Sequence, residues 1–159
     1  MVPTYHSIGI IHTPFKEIEG MPIQPAGAAN IQGSIEVRPE FAEGLQDLEG
    51  FSHIILIYCF HKVRKTKLTV VPFMDSKPHG VFATRAPGRP NPIGLSVVRL
   101  INIKQNILYI EKVDILDGTP LLDIKPYVPE FDCPEVSSIG WLESAKGQVR
   151  RQKSDRRFK

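Results

Sequence analysis

Fourteen prolines are spread from Pro3 to Pro134 of a 159-residue chain, and they leave few stretches in which a helix could grow. The one segment with helical character is "PEFAEGLQDLEG" (39–50). Pro39 suits a first turn, and Phe41, Leu45 and Leu48 fall on one side, which predicts a turn or two of helix. Elsewhere the pattern is that of short strands: "YHSIGIIH" (5–12), "GSIEVRP" (33–39), "SHIILIYCF" (52–60), "LTVVPF" (68–73), "GVFAT" (80–84), "IGLSVVRLINI" (93–103) and "NILYIEKVDI" (106–115). Lys104-Gln105-Asn106 is a hairpin-sized connector. "PLLDIKPYV" (120–128) is extended, but Pro126 and Pro129 are expected to keep it from being a central strand. Short strands separated by turn signals predict an all-β barrel or sandwich.

At 42% hydrophobic and 23% charged residues the chain reads as one globular domain. The longest apolar run, Ile54–Phe60, is too short to span a bilayer, and the N-terminus shows no signal-peptide pattern. Cys59 and Cys133 are the only cysteines and form no CxxC pair, which argues for a reducing, cytoplasmic setting and against a disulfide framework or zinc. Cys59 reads as core. The five histidines (6, 12, 53, 61 and 79) show no metal-ligand spacing, so no metal is expected.

The net charge of +3 is uneven. Residues 150–159 carry six Lys/Arg against one Asp, a charge of +5 that leaves −2 for residues 1–149. "HKVRKTK" (61–67) is a second cationic cluster. These segments are either solvated surface or contacts for a polyanion such as RNA or DNA. The ends, roughly 1–4 and 147–159, look loose.

Glycine-rich phosphate loops, a nucleophile elbow and the HExxH zinc motif are all missing. Three segments carry more chemistry than folding needs. In "GVFATRAPGRPNPIGLS" (80–96), Arg85, Arg89 and Asn91 are stiffened by Pro87, Pro90 and Pro92, which presents their donors at lower entropic cost. "VDILDGTPLLDIKPY" (113–127) surrounds a turn with Asp114, Asp123, Lys125 and Tyr127, and "FSHIILIYCFHK" (51–62) ends on His61-Lys62. Three such strand ends could converge at one barrel mouth, a usual place for a ligand.

"FSHIILIYCFH", "GVFATRAPGRPNPIGLS" and "DILDGTPLLDIKPY" resemble the signature blocks of the TrmO family, also called TsaA-like or YaeB, in order over about residues 5–131. The resemblance implies a small antiparallel β-barrel over residues 1–146 with one short helix, then a basic tail over 147–159. It implies a single-domain S-adenosylmethionine-dependent tRNA methyltransferase that acts on the exocyclic N6 of threonylcarbamoyladenosine beside the anticodon. It also implies a homodimer. The cofactor site would draw on Pro22, Ile23 and Gln24, on His61 and Lys62, on Arg85 and Leu95, and on Glu111, Lys112, Val113 and Asp114. His61, Arg85 and Leu95 sit in the closest-matching blocks.

Such a reaction needs a group to take the proton of a ureido-like nitrogen, and Asp114, Asp117 and His61 are the candidates. Arg85, Arg89, Asn91, Lys125 and Tyr127 are candidates for holding carboxylates, phosphates or the substrate. Two alternatives remain open: a non-catalytic module that binds adenosylmethionine or RNA, and a purely structural barrel subunit. Ile54–Phe60, apolar on both faces, exposes more than one small core hides, which also points to a homodimer.

Overall fold

The computed structural model describes residues 1–148, 151–155 and 157. Six strands close into an antiparallel barrel: β1 (Gly9–His12), β2 (Gln32–Val37), β3 (His53–Cys59), β6 (Ile93–Lys104), β7 (Ile107–Glu111) and β8 (Thr119–Pro126). Around the barrel the order is β1-β2-β7-β6-β3-β8; β4 (Thr69–Val70) and β5 (His79–Gly80) form a separate two-stranded ladder.

Alternation along the strands builds the core. In β3, Ile54, Leu56 and Tyr58 are buried, while His53, Ile55, Ile57 and Cys59 are half-buried on the outside. Ile11, Ile35, Leu108 and Leu121 meet them inside, and Val113 and Ile115 from the β7–β8 connection plug one end. A fully buried Ile or Leu contributes roughly 1.5–3 kcal/mol. Cys59 therefore sits on the outer face, not in the core, because β3 inverts its side chains at every residue.

The twelve-residue β6 makes closure possible. Its first half, Ile93–Arg99, pairs with β3, and its second half, Arg99–Lys104, pairs with β7 after an irregularity between Leu100 and Asn102. Gln105, at φ 56°, turns the predicted connector into a tight hairpin.

Three further expectations, about secondary structure, change. Residues 120–128 do supply a central strand: β8 pairs with β1 at one end and β3 at the other. Pro120 and Pro126 stand near the two ends of β8, so the ladder between them keeps its N–H donors. "GVFAT" is a 3-10 turn at Val81–Ala83, with only His79–Gly80 in a strand. The helix predicted over 39–50 is two 3-10 segments, Pro39–Leu45 and Leu48–Gly50, broken where Asp47 takes φ 66°.

The tail is not loose where it is described. Ser154 exchanges backbone hydrogen bonds with Gly20 and Met21 at 2.9 and 2.7 Å, and Pro22 bridges to Lys153. Arg150 and Arg156, part of the expected basic tail, lie outside the described residues. Among the described residues no helix is long and apolar enough to cross a membrane.

Candidate active site

β3 leaves, β6 enters and β7 leaves at the same end of the barrel. There a cavity of about 730 Å³ opens, walled by Tyr58, Phe60, Gly94 and Leu95 at the barrel end and by residues of the 18–24, 72–74, 82–89 and 141–142 segments, with Asp114 and Ser154. Gly94 is required by close approach: a Cβ would press on the rings of Tyr58 and Phe60. Those rings meet edge to face at 5.5 Å. A smaller cavity of about 100 Å³ adjoins it, lined by His61, Lys62 and Thr119, and Asp114 and Tyr58 line both.

Asp114 lies where the two cavities meet. Ser96, at an inward position of β6, is buried, and its Oγ donates to Asp114 Oδ1 at 2.6 Å. Tyr58 Oη lies 2.9 Å from the same Oγ. Since the Ser96 proton is committed to the carboxylate, Tyr58 is the donor, and a chain runs from Tyr58 through Ser96 to Asp114. Burial pushes the Asp114 carboxyl up to about 6, against opposing pulls from Ser96, the backbone and Arg85. Burial and the neighbouring carboxylate push the Tyr58 phenol up as well, so it stays a neutral donor.

The proline-rich loop is held by its own arginine. Arg89 Nη1 donates to the carbonyls of Thr84 and Ala86 at 3.0 and 3.2 Å, and Thr84 Oγ1 donates to Val81 O at 2.8 Å. This staple leaves Arg85 exposed at the cavity, where its Nη1 donates to Gln24 Oε1 at 3.0 Å. One predicted cofactor block is thereby tied to another across the opening.

Of the predicted residues, Pro22, Ile23, Gln24, Arg85, Arg89, Leu95 and Asp114 line the large cavity, and His61, Lys62 and Asp114 line the small one. The His61 imidazole is held below its ordinary range, first by burial and then by Lys62. Asn91 is exposed beside the opening and does not line either cavity. Val113 is fully buried in the core, Glu111 faces Arg99 at 3.7 Å, and Lys112 makes the strand-ending turn at φ 64°. Asp117 is engaged elsewhere: Lys16 Nζ binds it at 2.6 Å and the Thr13 N–H at 2.9 Å, holding its carboxyl below the usual range. Lys125 pairs with Asp123 at 2.8 Å, and Tyr127 packs on His53, at the opposite end of the barrel.

Sequence reasoning missed Tyr58, Phe73, Met74, Phe82, Trp141, Leu142 and Ser154 in these walls, and Ser96 behind them. Ser96 alone left a trace, as a polar residue in the inward register of an apolar strand.

Fold and site define a β-barrel with a titratable carboxylate between two adjoining cavities at one end. Residues 10–133 match the family described as the tRNA-methyltransferase O N-terminal domain, and the chain belongs to that family. A Pyrococcus abyssi protein named a probable S-adenosyl-L-methionine-binding protein is 61% identical over 97% of this chain and 84% of its own length. A mouse tRNA (adenine(37)-N6)-methyltransferase is 34% identical over 83% of this chain and 32% of its own length. The crystal structure of TrmO from Pseudomonas aeruginosa superposes with a TM-score of 0.75 at 40% identity, over 89% of this chain and 63% of that one. The chain thus spans less than two thirds of the solved protein and about a third of the mouse enzyme.

Proposed function

We propose that this chain is an S-adenosylmethionine-dependent methyltransferase acting on N6 of adenosine 37 in tRNA, with the threonylcarbamoyl-modified base as acceptor. The observation that carries the catalytic reading is Asp114: a carboxylate in the wall of both cavities, anchored by Ser96, with its pKa raised to about 6. A base of that strength is mostly ionised at neutral pH yet still binds a proton, as general-base catalysis favours.

The cavity suits the cofactor. It combines an apolar wall, including Phe82, Leu95 and Trp141, with polar groups at Gln24, Arg85 and Asp114, matching a ligand that is part nucleoside and part charged amino acid. Pro22–Gln24, Arg85 and Leu95 would hold it, and when bound it supplies an electrophilic methyl group on a sulfonium. Arg85 offers a planar fork for a carboxylate, either the cofactor's or the threonyl group's. Methylation of the ureido-like nitrogen releases one proton, which Asp114 accepts. Ser96 keeps the carboxylate aimed, and Tyr58 fixes Ser96.

The exposed cations of the 61–67 loop, Lys62, Arg64, Lys65 and Lys67, stand beside the site and suit phosphate contacts. Their loop is bound to the proline-rich loop through Lys67 N and Gly88 O at 2.9 Å. Arg157 of the tail is instead engaged by Asp155 at 2.8 Å. Its Nη1 also donates to the Pro72 carbonyl at 2.6 Å. The outer stripe of Ile55, Ile57 and Val97, paired across β3 and β6 and continuous with the cavity rim at Ile93 and Leu95, supports a homodimer whose seam runs beside the site. The expected setting is the cytoplasm.

A second reading draws on the P. abyssi relative's name: a module that binds adenosylmethionine without turnover. Incubation with labelled adenosylmethionine and tRNA carrying or lacking the threonylcarbamoyl group, followed by digestion to nucleosides, separates them. Label in N6-methylated threonylcarbamoyladenosine supports the enzyme. Saturable cofactor binding with no labelled nucleoside supports the module.

A further inference from the structure

Two aromatic side chains in the cavity wall are not needed by the barrel. Phe82 is 75% exposed although its neighbours Val81 and Thr84 are buried. Trp141, the single tryptophan of the chain, belongs to the 3-10 helix Gly140–Ala145, beyond the residues matched to the family. It nevertheless reaches back to the loop that carries Phe82. Its indole N–H donates to the Ala83 carbonyl at 2.8 Å, and its ring lies on the His79 imidazole, centroids 4.7 Å and planes 19° apart. His79 is in turn fixed by Asp75 at 2.7 Å. Both aromatic residues line the large cavity, with Phe73 and Met74 nearby in the same wall.

The C-terminal segment is tied down beyond this point. Ser154 Oγ accepts from the Met21 N–H at 3.1 Å and donates to the Ile18 carbonyl, and the Arg157 guanidinium lies over the Phe73 ring at 5.2 Å. Trp141 therefore stands in a wall that is clamped on two sides.

A tryptophan locked in this way has given up its rotamer freedom before a ligand arrives, so stacking on it costs little further entropy. Its N–H is already spent and Phe82 has no polar atom. The pair offers flat π surface, which selects a planar aromatic ring over a sugar or phosphate. We propose that Trp141 and Phe82 form a stacking slot for an adenine ring. This inference rests on the function proposed above, which brings two adenines to the cavity, the cofactor's and the acceptor's, with the same stacking chemistry.

The single tryptophan makes the slot observable. Emission of the full chain is titrated with S-adenosylhomocysteine, with an anticodon stem-loop RNA bearing adenosine at position 37, and with cytidine as control. Saturable quenching by S-adenosylhomocysteine assigns the slot to the cofactor's adenine, and quenching by the RNA alone assigns it to the acceptor's. Cytidine, whose smaller ring stacks more weakly, quenches less at equal concentration. Phe82→Ala, at an exposed position, lowers affinity for the quenching ligand about 10-fold, and Trp141→Phe, followed by calorimetry, retains most of it. Emission unmoved by either ligand overturns the slot, whether or not methyl transfer occurs. Quenching without methyl transfer leaves the slot standing and removes the enzymatic reading instead.

Discussion

Asp114 and Asp117 lie three residues apart in one connection, and the fold treats them in opposite ways. Asp114 turns into the barrel end and loses water, and burial outweighs the pulls of Ser96, the backbone and Arg85, so its carboxyl rises to about 6. Asp117 faces Lys16 and the Thr13 N–H on the outer turn, so its carboxyl falls. The first is the proposed base, held with a raised pKa at a cost in stability; the second is a turn clamp. Composition cannot tell them apart, because both belong to the run "VDILDGTP". Burial decides.

The largest effect that sharpens this contrast is the loss of the proposed base. Asp114→Asn lowers kcat by about 10²–10⁴-fold with cofactor affinity changed far less, as rapid-quench and calorimetric measurements on the same variant show. Next comes Ser96→Ala, which leaves the carboxylate in place but unanchored. It lowers kcat roughly 10-fold and shifts the pH profile to higher pH, because a hydrogen bond that favours the ionised form is gone. Gly94→Ala pushes Tyr58 and Phe60 apart and costs about 1–3 kcal/mol of stability by denaturant unfolding. Asp117→Asn is the smallest: turnover stays within about twofold, and stability at neutral pH drops by about 0.2–1 kcal/mol with the Lys16 pair. A large kinetic effect of Asp117→Asn would break the comparison.

The same pair sets opposite pH windows. Asp114 binds its proton more tightly folded than unfolded, so its contribution to stability is complete below about pH 3.8 and is lost as pH rises through about 6. Asp117 contributes above the ordinary carboxylate range and loses that contribution as pH falls below it. Asp114→Asn is therefore more heat-stable than the parent at pH 7, by on the order of 2–3 kcal/mol, and the gap closes toward pH 4. For Asp117→Asn, the parent is the more stable chain at pH 7, and that gap also closes on acidification.

The barrel was legible in the sequence because alternation is a local signal: β3 and β6 fall within a residue or so of their expected bounds. β8 is masked in the sequence because only the register shows that Pro126 closes the strand and that Pro129 lies beyond it. Within the site, residues in the proline-rich block were visible because their types are unusual there, although Arg89 turned out to staple the loop. Lys125 and Tyr127 looked like site residues by nearness in sequence, yet β8 carries them to the far end of the barrel. Trp141 and Ser154 left no local trace. Their role arises from chain return over more than fifty residues to Ala83 and more than a hundred to Met21, which no spacing pattern reports.

The central claim is that Asp114, and not its neighbour, takes the proton in a methyl transfer. It is tested most directly by kcat/KM on threonylcarbamoyl-modified tRNA against pH, for the parent chain, Asp114→Asn and Asp117→Asn. The account predicts a rise through about pH 6 to a plateau in the parent, a superimposable curve for Asp117→Asn, and a low, flat profile for Asp114→Asn. A rise through pH 6 that survives in Asp114→Asn, or vanishes in Asp117→Asn, would contradict it.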